Sequence, residues 1–298
     1  IIQNEYEKVI PRLSNKEISF KGIPIFIPEM YPLHPYQKVI KDDISNKLIG
    51  RENRFIVHMP TGAGKTKTAI EAIVDFWRIK GHNKGFIIWF SHSKELCEQS
   101  YTTFKDIWQA KGDYEINMFK CYEKHLPTLD EYESGIIFVG FQKFYSLLKK
   151  TGTLFIKLRN NVRLIVVDEA HISIASTYQQ SIQSLSEASS TKLMGLTATP
   201  GRSTNQEDIQ NLLLAKFYNS SKVSMKDPDN GTTLKKEVKY LQDNQYLAKI
   251  NKINISQDIE LTDYDIDYIQ KRNKFTKDYI DKLSTHEIRN TKIIIEIK

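Results

Sequence analysis

Short apolar runs rich in β-branched and aromatic residues alternate with longer amphipathic stretches from about residue 54 onward. Runs such as FIIWF and LIVV contain no polar residue, which is typical of strands covered on both faces. Strands that alternate with helical patterns indicate βαβ units, so we expect an α/β fold with a mostly parallel central sheet flanked by helices. The predicted strands are Arg54–His58, Gly85–Ser91, Tyr114–Phe119, Gly135–Gly140, Arg163–Val167 and Leu193–Thr197.

Helical periodicity fills the intervals between these strands and is clearest at Lys65–Arg78 and Lys94–Gln109. The first stretch follows a glycine-rich turn. The second follows a Ser-His-Ser run at residues 91–93, and serine is a preferred residue at the N-terminus of a helix.

The character of the chain changes after Arg202. The segment Ser203–Gly231 is rich in Ser, Asn, Asp and Lys, and residues 226–233 (KDPDNGTT) have the composition of a loop. We therefore predict a domain boundary near residues 203–222. Beyond it, helical patterns occupy Leu234–Leu247 and Asp263–Leu283, and Lys252–Ser256 has the pattern of a short strand.

Charge and cysteine usage narrow the class of protein. Lys and Arg outnumber Asp and Glu by 43 to 36, a balance that suits a polyanionic partner but does not require one. Cys97 and Cys121 form no CxxC pair and no ligand cluster with histidine, so we expect a cytoplasmic, reducing environment. The apolar runs are too short to cross a bilayer, and no signal-peptide core is evident. The first residue is not Met, so we expect a processed or excised fragment.

The strongest chemical signal is the sequence MPTGAGKT at residues 59–66, between a predicted strand and a predicted helix. Backbone amides of such a loop surround a phosphate, and the N-terminus of the helix adds its positive end. In this arrangement the lysine reaches the terminal phosphates and the final hydroxyl binds Mg²⁺. The usual pattern has glycine where Met59 stands, so a tight strand–helix turn remains the alternative. The residues that would hold the nucleotide are Thr61, Gly62, Ala63, Gly64, Lys65 and Thr66.

A second signal lies at the end of the predicted strand Arg163–Val167, which is followed by two carboxylates, Asp168 and Glu169. Ligands of open α/β sheets bind at the carboxyl ends of the strands. Asp168 would therefore hold Mg²⁺, and Glu169 would polarise the attacking water. Two acidic residues after a strand also occur as an ordinary loop start, and it is the phosphate loop upstream that favours the functional interpretation.

Taken together, the motifs resemble one known family. Residues 35–37 read PYQ, residues 168–171 read DEAH, and residues 197–199 read TAT, in the order found in the first RecA-like domain of superfamily 2 DEAD/DEAH-type helicases. The phrases LHPYQ, MPTGAGKT, DEAH and GLTATPGR are most similar to the branch that holds the motor subunits of type I and type III restriction enzymes. The resemblance covers roughly residues 30 to 205.

The resemblance implies roles for further residues of the nucleotide site. Gln37 would recognise the adenine edge of ATP through an amide that can both donate and accept. His171, Thr197 and Thr199 would couple the nucleotide site to movement of nucleic acid through short hydrogen bonds. His34 stands where the family often has Arg. A helix-surface position for Gln37, and packing at a strand end for the two threonines, are the structural alternatives.

The resemblance also places nucleic-acid contacts in the loops after the second and fourth strands. Hydroxyls, amides and lysines at helix starts suit binding to phosphates and carry no sequence information. Helix capping together with a solvated lysine would explain each residue singly almost as well. The residues concerned are Ser91, His92, Lys94, Gln142 and Lys143.

The expected function is therefore that of an ATP-dependent helicase or translocase motor with ATP and Mg²⁺ as cofactors. Its track would be nucleic acid, with DNA favoured over RNA, in restriction, phage defence or DNA repair. We divide the chain into a lead-in with the adenine-recognising motif (1–50), a RecA-like core (51–205), and a linker with an incomplete start of a second RecA-like domain (206–298). That second domain, and nuclease or other subunits, would be the protein partners.

Residues 203–298 contain no arginine in the sequence context of the family's second-domain arginine fingers. Because loss of an arginine finger costs on the order of 10³-fold or more in turnover, we expect slow hydrolysis by this chain alone. The alternatives are an ATP-binding switch or interaction module, and an RNA helicase. A GTPase or small-molecule kinase is disfavoured, because the sequence has no guanine-recognising Asn-Lys-x-Asp motif and because paired DEAH and TAT elements have no place in those proteins.

Overall fold

A computed structural model describes residues 32–79, 84–125, 129, 131–148, 158–186, 191–199, 205–249, 261–272 and 274–297. Within these residues the chain divides into two compact units, one ending at Leu247 and one beginning at Ala248. None of the helices in the described segments has the length and apolar character needed to cross a membrane.

The first unit is built around a seven-stranded sheet in which all paired strands run parallel. Its strands are β1 (Arg54–His58), β2 (Gly85–Ser91), β3 (Met118–Cys121), β4 (Ser134–Gly140), β5 (Val162–Asp168), β6 (Lys192–Thr197) and β7 (Lys222–Val223). Their order across the sheet is β3-β4-β2-β5-β6-β1-β7. Because the strands are parallel, their carboxyl ends meet at one edge, where β5, β6 and β1 are neighbours.

Helices cover both faces of this sheet. They are α1 (Pro35–Ile49), α2 (Lys65–Ile79), α3 (Lys94–Lys111), α4 (Phe141–Leu148), α5 (Ser176–Leu185), α6 (Asn205–Phe217) and α7 (Glu237–Asp243). The fully buried strand β2 shows how the two layers form, since successive side chains of a strand point to opposite faces. Ile87 and Trp89 join a core with residues of α1, α2 and α3. Phe86 and Phe90 join a second core with residues of α4, α5 and α6.

The structure confirms the predicted α/β class, and most predicted strands agree with those observed to within one or two residues. Ser93 caps α3 as its sequence position predicted, since its hydroxyl accepts a hydrogen bond from the Leu96 amide at 3.3 Å. The strand predicted at Tyr114–Phe119 begins later, at Met118. Tyr114 is instead tied to the preceding helix, because its carbonyl accepts a hydrogen bond from Trp108 Nε1 at 2.9 Å.

The segment 205–247 belongs to the first unit, whereas the sequence predicted a domain boundary near residues 203–222. Helix α6 lies in it, and β7 pairs with β1. Leu214, Phe217 and Tyr218 are buried in the second core, so this segment completes the first unit, which reaches Leu247. A few well-spaced apolar residues are enough to anchor the segment, although its overall composition is that of a loop.

The second unit contains α8 (Asp263–Arg272), α9 (Lys277–Ser284) and α10 (Glu287–Ile297). The continuous helix predicted at Asp263–Leu283 is two helices. Thr276 starts the second of them, because its hydroxyl accepts a hydrogen bond from the Tyr279 amide at 3.2 Å. The strand predicted at Lys252–Ser256 lies outside the described residues.

Candidate nucleotide-binding site

The glycine-rich loop connects β1 to α2 at the carboxyl edge of the sheet. Gly62 and Gly64 have φ of 80° and 77°, values that glycine adopts without strain and that other residues avoid. The Ala63 amide donates to the Pro60 carbonyl at 3.1 Å and closes the turn. Met59, which stands where the usual pattern has glycine, is fully buried in the first core. The departure from the usual pattern therefore serves packing beneath the loop.

Helix α1 fastens the loop from one side. Tyr36 Oη and Gln37 Nε2 each donate a hydrogen bond to the Ala63 carbonyl at 3.0 Å. Gln37 Oε1 accepts from the His34 amide at 2.9 Å, which holds the first turn of α1. A side chain at Gly64 would come within 2.3 Å of Gln37 Nε2. Gln37 is thus buried beside the loop and does not lie on an exposed helix surface.

The acidic pair follows β5, two strands away from β1 at the same edge. Lys65 Nζ, at the start of α2, lies 3.5 Å from Glu169 Oε1. Glu169 adopts a left-handed backbone conformation with φ of 57°, and its amide donates to Asp168 Oδ1 at 3.1 Å. Glu169 Oε2 lies 3.3 Å from His171 Nδ1. The fold therefore brings together the lysine, both carboxylates and the histidine that the sequence predicted.

Burial sets the acidity of the central carboxyl. Asp168 is only 3% exposed, and its desolvation raises the pKa of this carboxyl to about 6. Lys65 opposes the increase in pKa and Glu169 adds to it. A bound cation would offset the free-energy cost of burying this negative charge. Mg²⁺ prefers oxygen ligands, so the Asp168 carboxylate is well suited to bind it.

The residues present fit a Mg²⁺–nucleotide. The left-handed conformations of the two glycines shape the turn of the loop, and the Lys65 ammonium lies at the loop's end. Thr66 in the first turn of α2 and Asp168 after β5 supply a hydroxyl and a carboxylate. Mg²⁺ commonly takes one or two protein oxygens and completes its shell with water and phosphate oxygens.

The Thr-Ala-Thr turn follows β6, between the strands of the phosphate loop and the acidic pair. The Thr197 hydroxyl accepts from the Thr199 amide at 3.1 Å and lies 3.2 Å from the Thr199 carbonyl. The Met59 amide donates to the Thr197 carbonyl at 3.2 Å, and His58 Nε2 lies 3.3 Å from the Ala198 carbonyl. The turn thus contacts the strand that leads into the phosphate loop. Pro200, Gly201 and Arg202 lie outside the described residues.

The predicted nucleic-acid loops lie at the carboxyl ends of β2 and β4, which are adjacent strands. His92, Lys94 and Gln142 are exposed, and Lys143 is partly exposed. The predicted phosphate contact of Ser91 is wrong, because this residue is completely buried and its hydroxyl is not available to a phosphate. It is the last residue of β2, and its side chain lies in the interior.

A residue that no sequence motif indicates joins these two loops. Glu123, in the loop after β3, has a carboxylate 3.2 Å from Lys94 Nζ, and its carbonyl accepts from Lys143 Nζ at 2.9 Å. Its backbone is left-handed, with φ of 50°. No motif marks this glutamate, and the contact depends on the spatial order of β3, β4 and β2, which the sequence does not display.

Residues 30–202 match the model of a protein family described as type III restriction enzyme, res subunit. The chain is 29% identical over 153 residues to the putative ATP-dependent helicase IRC3 of Saccharomyces cerevisiae, covering 49% of this chain and 20% of that protein. It is 31% identical over 179 residues to the ATP-dependent DNA helicase mph1 of Sclerotinia sclerotiorum, covering 56% of this chain and 13% of that protein. The solved helicase domain of Hef from Pyrococcus furiosus matches with a TM-score of 0.46 at 20% identity, over 63% of this chain and 36% of that chain. The chain spans one fifth or less of these curated relatives.

Proposed function

Because this chain belongs to the type III restriction enzyme res-subunit family and carries the first RecA-like domain of a superfamily 2 helicase motor, we propose that it binds ATP with Mg²⁺ and couples hydrolysis to movement on nucleic acid. The observation that carries the proposal is the convergence at one sheet edge of the phosphate loop, Lys65 and the Asp168–Glu169 pair. These groups come from segments about a hundred residues apart in sequence and meet only through the fold.

Each residue has a defined task in this proposal. The loop amides and Lys65 would hold the phosphates. Thr66 and Asp168 would hold Mg²⁺, which would supply positive charge at the phosphate oxygens. Glu169 orients the attacking water and accepts its proton, and its carboxylate lies beside His171. Gln37 recognises the base.

The Thr-Ala-Thr turn would respond to the state of the nucleotide. Thr197 lies between the strand of the phosphate loop and the strand of the acidic pair, and it is hydrogen-bonded to Met59 at the start of the loop. A shift of either neighbour on hydrolysis reaches this turn directly. We assign Thr197 and Thr199 to coupling on this basis.

The track in this proposal is DNA, probed first as a duplex. The support is the description of the family as a restriction enzyme and the DNA helicase named among the relatives. Lys94 and Lys143, which share contacts with Glu123, would bind backbone phosphates together with His92 and Gln142. Arginine fingers would come from a second RecA-like domain, so this chain alone would turn over slowly.

The proposed setting is a reducing cytoplasm. Cys97 and Cys121 are both free and buried. Burial raises the pKa of the Cys97 thiol to about 12 and that of Cys121 to about 11, so neither thiol ionises near neutral pH. Both behave as apolar core residues and need no oxidised partner.

ATP turnover with different polymers tests the proposal. Hydrolysis is measured with duplex DNA, single-stranded DNA, RNA or no polymer, with Lys65→Ala as the control. Stimulation by duplex DNA that disappears in the control is the expected result. Stimulation by RNA alone would replace the proposed track, and a rate that no polymer changes would leave an ATP-dependent switch in place of a motor.

A further inference from the structure

An aromatic cluster lies beside Gln37 and the phosphate loop, formed by His34, Tyr36 and Tyr246. The ring of Tyr246 lies 4.6 Å from that of His34 and 5.0 Å from that of Tyr36, centroid to centroid. Tyr36 is almost fully buried and is held by its hydrogen bond to the Ala63 carbonyl. Tyr246 is only partly buried and His34 is exposed, so the cluster presents ring surface to solvent next to the loop.

Tyr246 reaches this position through the turn that ends α7. The amides of Tyr246 and Leu247 both donate to the Leu241 carbonyl, at 2.8 and 3.0 Å, and Leu241 is fully buried in the first core. Gln245 allows the reversal with a left-handed φ of 62°. The backbone at Tyr246 is therefore fixed to the core, which holds the tyrosine ring beside the loop.

The next residue touches the phosphate loop itself. A Cβ added at Gly62 would lie 2.9 Å from Leu247 Cδ1, so this leucine packs directly on the glycine. At the start of α7, Glu237 Oε1 lies 3.5 Å from Nδ1 of His58, the last residue of β1. The two ends of the segment 237–247 thus lie beside the strand and the loop of the nucleotide site. It lies beyond the residues that match the family model.

We propose that Tyr246, together with His34, forms the surface on which the purine base of the nucleotide stacks, with Leu247 as an apolar wall over the loop. This inference rests on the proposed ATP binding and adds a base subsite from α7 and its turn. The face of an aromatic ring can stack with any base, so Gln37 would determine which base is preferred. Its Oε1 accepts one hydrogen bond from the His34 amide and retains a second lone pair for an exocyclic amino group.

Two ligands that share the phosphate chain and differ in the adenosine that ATP carries test this assignment. Mg·ATP and Mg·tripolyphosphate share the phosphate chain, so their affinities are compared for the chain and for Tyr246→Ala and Tyr246→Phe. Base–aromatic stacking predicts that Tyr246→Ala weakens ATP binding roughly tenfold, equivalent to ~1.4 kcal/mol, and leaves tripolyphosphate unchanged. Tyr246→Phe keeps the ring and is expected to bind ATP like the original chain.

Tyr132→Ala is the matched control. This tyrosine is also partly exposed and packs on one neighbouring ring, Phe119, at 5.0 Å, but next to β3 at the far edge of the sheet from β1. Its removal is expected to leave both affinities unchanged.

Three results would overturn the inference while ATP binding itself stands, as shown by its loss in Lys65→Ala. Unchanged ATP affinity in Tyr246→Ala would remove the base from this ring. Tighter ATP binding would make the ring an obstruction. An equal loss for ATP and tripolyphosphate would make Tyr246 a support of the loop. A chain that binds neither ligand would overturn the proposed function together with this inference.

Discussion

Asp168→Asn is expected to stabilise the metal-free chain near neutral pH. The carboxyl of Asp168 is 3% exposed, at the end of a buried strand, and the Glu169 amide donates to its Oδ1 at 3.1 Å. Burial without a full set of partners raises the pKa of Asp168 to about 6 from its ordinary 3.8. The asparagine has nearly the same shape, keeps an oxygen for the Glu169 amide and carries no charge.

The magnitude follows from the difference between the two pKa values. Because the folded chain binds the Asp168 proton more tightly than the unfolded chain, its stability falls as pH rises from about 4 through about 6. At ~1.4 kcal/mol for each tenfold difference in proton affinity, the full loss is ~3 kcal/mol at pH 8. At pH 5 the loss of stability is about half as large. These figures are upper bounds, since the asparagine amide must also find hydrogen-bond partners.

The assay is urea unfolding without divalent cations, followed by tryptophan fluorescence. The three tryptophans, Trp77, Trp89 and Trp108, are all buried in the first unit, so the signal reports on that unit. Asp168→Asn is expected to gain up to ~3 kcal/mol at pH 8 and about half of that at pH 5. Asp42→Asn, at a side chain that is 71% exposed, is the control and should gain nothing. A variant only as stable as the original chain at both pH values would show that the buried Asp168 carboxylate does not destabilise the fold.

Other variants separate chemistry from binding and packing. Glu169→Gln should bind Mg·ATP like the original chain but lose about 10²-fold or more in single-turnover hydrolysis, and an unchanged rate would remove this carboxylate from catalysis. Lys143→Ala should weaken DNA binding and lower the salt dependence of its affinity by about one counterion, whereas Ser91→Ala should leave both unchanged in fluorescence anisotropy. Gly195→Ala should lower the free energy of unfolding by ~1–3 kcal/mol, because the new methyl would lie 2.6 Å from the ring of Tyr218, and equal stability would show that the ring moves aside.

The sequence predicted the buried strands and the glycine-rich loop, because both depend on residues that are neighbours along the chain. Strands β2 and β5 each contain a continuous apolar run that is buried on both faces, so their sequence alone distinguishes them from the surface. The glycines at 62 and 64 correspond to left-handed conformations that the phosphate loop requires. Lys65 and the acidic pair Asp168–Glu169 were predicted from the motifs MPTGAGKT and DEAH, because few residue types can bind phosphate or Mg²⁺.

Tertiary contacts account for the rest. A serine at the end of a strand has the same sequence signal whether its hydroxyl points inward or outward, and Ser91 points inward. Helix α6 is held by a few buried residues in a polar segment, so composition indicates a linker there. Tyr246 lies more than two hundred residues from His34 along the chain, and only the packing of α7 onto the first core brings the two rings together.

The proposed function requires that the loop at residues 59–66 binds a Mg²⁺–nucleotide. Isothermal titration of this chain with Mg·ATP, beside Lys65→Ala, tests it most directly. We expect saturable binding with one ATP per chain. In Lys65→Ala we expect a loss of affinity of at least about tenfold, because a charge-assisted hydrogen bond to phosphate is removed. Equal binding by the two proteins, or binding by neither, would contradict the proposed function.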